Sequence, residues 1–215
     1  MALTTADTLL ASGLLARPDD PAAAADGFAR LIELRDGRMA RHAERVTRLA
    51  LALAGRVGIA SEAVPVLRTA ARMHDVGMIG VPDRILLKDG PLDRDEWSVI
   101  RCHPEWGTEA LAAVPGLEDA ASVVLFHHER WDGRGYPDGL AGADIPLESR
   151  ILAVCDAYCA MTAQRPYRTA LSPADASTLV RSAAGRQFDP AVAGALLAVV
   201  GGPGELAQRR HDRSV

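Results

Sequence analysis

A chain of 215 residues is long enough to bury one substantial core and still carry a short appendage. Its formal net charge of -4 and pI near 5.9 exclude a generic binder of nucleic-acid polymers, whose phosphate contacts call for a basic surface. Three cysteines, Cys102, Cys155 and Cys159, lack zinc-ribbon spacing and an even count for a disulfide framework, which fits a reducing cytoplasm.

Residues 1–27 read as a short amphipathic helix followed by a Pro/Ala/Asp linker at residues 19–26. The opening apolar stretch has no basic region ahead of it and closes at Arg17, too soon for a membrane span. No other apolar run is long enough, so no membrane association is expected. Across residues 28–57 apolar side chains recur at helical spacing, with Gly37 as a break, and this places His42 on a helix. Ser61 is expected to cap a helix reaching Asp75, and Gly77 to end it in a left-handed conformation, so that His74 and Asp75 occupy its last turn.

Residues 81–91 read as a loop. Asp93 caps the next helix, and Pro104 either kinks it or opens a new one, leaving His103 at the junction. Residues 117–126 form an apolar helical run that delivers His127 and His128 at its end. The Gly- and Pro-rich residues 131–146 read as an ordered irregular loop. Helix resumes over residues 148–163, and Ser172-Pro173 and Asp189-Pro190 are two further start signals. No segment alternates as a strand does, so the fold class is all-α.

Five of the six histidines fall in these short clusters, while His211 lies in a basic tail at residues 206–215. Neutral imidazole offers a nitrogen lone pair near pH 7, and carboxylate adds a hard anionic oxygen. Adjacent ligands such as His74-Asp75 or His127-His128 project roughly 100° apart on a helix, which suits two neighbouring ions. Five imidazoles and a carboxylate exceed the needs of one tetrahedral zinc. Asp156, a charge inside an apolar helical stretch, is the candidate for a second carboxylate, because burying it without a partner is costly. Two ions about 3.5 to 4 Å apart stabilise in-line attack on phosphorus, so phosphoester hydrolysis is the favoured chemistry.

The motifs HAERV from His42, HDVGMIG from His74, RCHPEWG from Arg101, HHERWDGRGYP from His127, IPLESRILAVCDAY from Ile145, QRPYR from Gln164 and GRQFDP from Gly185 follow one another in order. In wording and order they closely resemble the HD-GYP family of bacterial metal-dependent phosphodiesterases, a branch of the HD phosphohydrolases, over residues 31–197. The resemblance implies an HD-domain helical bundle at residues 28–205 with additional C-terminal helices and an ordered GYP loop. It implies hydrolysis of cyclic di-GMP to pGpG and in some members onward to GMP. Carried over by position, it makes His42, His74, Asp75, His103, His127, His128 and Asp156 the metal ligands, with Asp75 as the bridging catalytic aspartate. Two divalent ions are expected, iron or manganese first, with zinc or nickel as alternatives. Gly135, Tyr136 and Pro137 form the signature, Tyr136 contacting the nucleotide, and Arg165 and Arg168 match basic positions that hold its phosphates.

Three positions depart from the family pattern. Met78 stands where a lysine usually meets the scissile phosphate, and losing one such charge can cost on the order of 10² to 10³ in rate. Arg38 stands where some members place a third-metal glutamate, so a binuclear site is expected. Cys159 replaces an aspartate three residues after the last ligand, though Cys155 and Cys159 read best as small apolar packing. Met78 and Cys159 motivate an alternative, a weakly active or inactive cyclic-dinucleotide receptor that retains metal, and a third reading is another nucleotide phosphohydrolase of the HD superfamily. Expected partners are cyclic di-GMP and a sensor or GGDEF-type protein supplied in trans, and a homodimer is allowed for.

Overall fold

The computed structural model describes residues 20–164 and 169–202. Asp20 caps the first helix, α1 (Pro21–Arg35), by accepting from the N–H groups of Ala22 and Ala23, and Pro21 takes a first-turn position where its missing N–H costs nothing. The segment expected as a linker is therefore helical from Pro21, because Ala-rich sequence behind an Asp-Pro start favours helix and Ala24, Ala25, Phe28 and Ile32 bury one face. Asp36 ends α1 through its N–H to the Ile32 carbonyl and caps α2 (Gly37–Ala54) with its side chain. In α2 the buried set Ala43, Val46, Leu49, Ala50 and Leu53 forms one stripe, as an amphipathic helix requires.

A 3₁₀ turn (Ser61–Ala63) leads into α3 (Val64–Met73), and a second 3₁₀ turn (Val76–Gly80) follows His74 and Asp75. Ser61 makes no capping bond, and its hydroxyl turns to Glu62 instead. Gly77 does not stop the helix in a left-handed conformation. It sits in the second turn because a Cβ there would lie 2.7 Å from the Gly107 nitrogen and closer still to the His103 carbonyl oxygen. Inside the stretch expected as a loop lies the four-residue helix α4 (Asp83–Leu86).

Asp93 and Glu96 form a full capping box at the start of α5 (Arg94–Arg101). Pro104 opens α6 (His103–Ala112), which packs against α7 (Glu118–Leu125) and against the Val76–Gly80 turn. The central helix is α8 (Leu147–Met161), buried along most of its circumference by Ile151, Leu152, Val154, Cys155, Tyr158 and Cys159. It packs on α2, α3 and α7, and its buried Ser149 hydroxyl donates to the Val123 carbonyl. Ser172 caps α9 (Pro173–Ala183) and Asp189 caps α10 (Pro190–Val200), and both helices close over α8. Among the described residues there are only two isolated bridges, Asp132 with Ala141 and Ala184 with Phe188, and no strand.

Candidate metal centre

Three of the histidines sit where a helix runs out, and the same local rule orients each. The last carbonyls of an α-helix have no intrahelical donor. His74 Nδ1 lies 2.9 Å from the Ala71 carbonyl, His103 Nδ1 2.7 Å from that of Ile100, and His127 Nδ1 2.6 Å from that of Val124, each three residues upstream. A carbonyl only accepts, so each Nδ1 is the donor and each Nε2 is the atom left facing inward. This arrangement fixes the tautomer and ring orientation of a metal ligand.

The inward-facing atoms fall into two groups. His42, His74 and Asp75 form one, and His103, His127 and His128 the other, with ligand atoms in each group within 4.8 Å of one another. Asp75 reaches both: its Oδ2 is 3.3 Å from His74 Nε2 and its Oδ1 3.6 Å from His103 Nε2. Asp156, on α8, joins the first group through its Oδ1, 2.8 Å from His42 Nε2 on α2. All seven expected ligands are thus brought together.

The donor set fits metal ions on two observations. His74 Nε2 is buried with only the Asp75 carboxylate beside it, at 3.3 Å and outside hydrogen-bond geometry, and a buried polar atom without a well-formed bond is costly unless something fills the gap. His103 Nε2 and His127 Nε2 lie 3.3 Å apart while both Nδ1 atoms are committed as donors, so a cation between the facing lone pairs relieves them.

The electrostatics prepare the same chemistry. Burial pushes His128 down to about 4 and, with the neighbouring imidazoles, holds His127 well below its ordinary 6.5, so both are neutral at pH 7. Burial works against ionising Asp75 and Asp156, but the surrounding histidines outweigh it and hold both carboxyls below the ordinary range. The centre therefore sets two carboxylates beside neutral His127 and His128, while, against the effect of burial, Asp75 holds His74 up to about 9.

The GYP loop closes one side. Tyr136 stacks on His128, ring centroids 4.9 Å apart at 28°, and its N–H donates to the His128 carbonyl. Gly135 admits no side chain, since a Cβ would lie 2.5 Å from the Arg130 nitrogen. The Tyr136-Pro137 peptide is cis. The buried Glu129, to which the sequence reading assigned no role, accepts at Oε1 from the N–H groups of Asp138 and Gly139, both at 2.8 Å. Arg130 pairs with Asp132, and Trp131 and Asp132 donate to the Gln187 and Arg186 carbonyls, which ties the loop to the segment before α10. The signal for Glu129 was its place directly after His127-His128, but no spacing rule says where its carboxylate turns.

Arg101 is a second residue assigned no role beforehand. Its guanidinium lies over the Tyr136 ring, 5.4 Å from the centroid. Met78 is half-buried in the turn beside Asp75. Cys155 and Cys159 are packed in the hydrophobic core. Arg165 and Arg168 lie outside the described residues.

The HD domain family model matches residues 27–192. The chain is 43% identical over 172 residues to the cyclic di-GMP phosphodiesterase response regulator RpfG of Xanthomonas campestris, covering 79% of this chain and 46% of that protein. It is 40% identical over 169 residues to a cyclic di-GMP phosphodiesterase of Thermotoga maritima, covering 78% of this chain and 46% of that protein. The chain thus spans under half the length of these two relatives. A solved structure of a cyclic GMP-AMP specific phosphodiesterase from Vibrio cholerae superposes with a TM-score of 0.66 at 16% identity, covering 84% of this chain and 48% of that one, a likeness of fold.

Proposed function

The chain belongs to the HD domain family, and on that premise we propose that it is a metal-dependent phosphodiesterase of the HD-GYP branch that hydrolyses cyclic di-GMP to pGpG, which some members of that branch cleave onward to GMP. The observation that carries the reading is the Asp75 carboxylate, whose two oxygens face imidazoles of two different histidine groups. Asp75 would thereby be shared by the two sets of residues that would hold metal. We assign His42, His74, Asp75 and Asp156 to one ion and Asp75, His103, His127 and His128 to the other, iron or manganese first, with zinc or nickel as alternates for a mixed nitrogen and oxygen set. When bound, divalent ions in such a centre supply Lewis acidity and a lowered pKa for water.

The protein's own groups do the rest. The three Nδ1-to-carbonyl bonds hold the imidazoles in place before substrate arrives, and burial keeps His127 and His128 unprotonated at neutral pH. Tyr136, held flat against His128, offers its ring edge and hydroxyl to the nucleotide. Arg165 and Arg168 are assigned to its phosphates, where a planar guanidinium makes paired bonds. Residues 28–205 form the catalytic domain in this reading, joined from Pro21 by the first half of α1, with residues 206–215 as a tail. A sensor or GGDEF-type protein is the partner this reading calls for, and a homodimer is compatible with it. Among the described residues no helix is long and apolar enough to cross a membrane. The three free cysteines suit a cytoplasmic site of action.

The test is anaerobic purification, loading with iron or manganese, metal quantification, and chromatography of nucleotides after incubation with cyclic di-GMP. Two metal equivalents and a metal-dependent linear product support the reading. Tight binding without product favours the second reading, a receptor, which the half-buried Met78 in place of the family's lysine motivates. Turnover of a different nucleotide only would point to another branch of the superfamily.

A further inference from the structure

Arg101 closes α5, two residues ahead of His103, and its side chain is exposed. Among the described residues its guanidinium has no carboxylate partner, whereas Arg35, Arg38, Arg72, Arg130 and Arg150 are each paired with one. An unpaired arginine is ordinary on an open surface. This one is held over the face of Tyr136, 5.4 Å from the ring centroid, and Tyr136 is itself stacked on His128. Guanidinium and imidazole therefore both contact the one phenol ring, beside the candidate metal centre.

A guanidinium lying over an aromatic face keeps its in-plane N–H donors free, and ring contact removes much of the freedom it would otherwise lose on binding. A phosphate is the anion whose geometry matches that fork.

We infer that Arg101 binds a phosphate of the substrate, presented by Tyr136 at the rim of the metal centre. The inference rests on the phosphodiesterase reading, since it supplies the reason for an anion at that rim. It also gives Tyr136 a second duty: the ring positions a cation as well as meeting the nucleotide.

The experiment compares metal-loaded wild type with Arg101→Gln and Arg101→Lys. Binding of cyclic di-GMP is measured by equilibrium dialysis at low and high salt, alongside metal content. Loss of one charge-assisted phosphate contact is expected to weaken binding about 10- to 100-fold in Arg101→Gln. Metal content should be unchanged, Arg101→Lys should recover part of the loss, and wild type and Arg101→Gln should converge at high salt. Unchanged affinity overturns the inference, and so does a loss that salt leaves undiminished, because a purely structural prop for Tyr136 would not be screened. If wild type neither binds nor hydrolyses cyclic di-GMP, the substrate reading fails by itself. KM for bis(p-nitrophenyl) phosphate then decides about Arg101, rising in Arg101→Gln if the inference holds and staying level if it does not.

Discussion

Gly77 and His103 meet backbone to backbone: a methyl group at position 77 would collide with the His103 carbonyl oxygen and lie 2.7 Å from the Gly107 nitrogen. The turn that follows Asp75 is thereby pressed against the helix that opens with His103. This contact sets the separation of the two histidine groups that Asp75 spans.

Gly77→Ala is therefore expected to force the turn away from α6. Overpacking of this kind costs roughly 1–3 kcal/mol, and the shift would pull Asp75 from His103. Denaturant unfolding should show the loss of stability, and metal analysis should show reduced occupancy. Wild-type stability together with full occupancy would show that the contact relaxes without moving the centre.

Glu129→Ala removes the acceptor of two N–H groups in the GYP loop without touching a ligand. Bonds to a charged acceptor are worth about 1.5–3 kcal/mol each, so the loop should loosen while the metal content stays intact. Hydrogen exchange at Asp138 and Gly139 is expected to accelerate, and affinity for cyclic di-GMP to fall. Protection equal to wild type at both amides would contradict the role assigned to Glu129.

In the metal-free protein two histidines pull stability in opposite directions with pH. Burial disfavours the His74 imidazolium, but Asp75 outweighs it and, with Asp156 and the Ala71 carbonyl, holds the group up to about 9. Its stabilising contribution is complete below the ordinary 6.5 and lost as pH rises through about 9. Burial pushes His128 down to about 4, so its contribution is complete above 6.5 and lost as pH falls through about 4. Melting temperature in chelator should peak near pH 6.5. With manganese the alkaline decline should vanish, because ligation needs His74 without its Nε2 proton. A flat profile in chelator would count against both assignments.

Met78→Lys tests the departure nearest the centre. If the missing charge limits turnover, kcat should rise by up to about 10² to 10³, measured by product chromatography under saturating substrate. A rate unchanged by the lysine would show that this position does not limit the enzyme.

Much of the site was legible beforehand because its motifs are local. A histidine at a helix end is read from the caps and breaks around it: the capping box at Asp93 and Glu96 and the Pro104 start bracket His103 as expected. Gly77 was legible as a special position, but its reason was not. A glycine after a helix suggests a left-handed stop, whereas the actual constraint is a neighbour 26 positions away in sequence, at His103. Ser61 was misjudged for a related reason, since capping depends on where the hydroxyl turns, and it turns to Glu62.

By itself the sequence determined the all-α class, the helix ends that carry His74, His103 and His127, and the residue types of the candidate site, because periodicity, capping and side-chain chemistry act over a few residues. Only the tertiary structure decided that Asp75 spans two groups, that Asp156 reaches His42 from another helix, that Glu129 ties down the GYP loop, and that Arg101 lies over Tyr136. Each of these depends on the packing of helices remote in sequence or on the direction in which a side chain turns. No local pattern encodes either one, because both are set by the buried surfaces of the whole bundle.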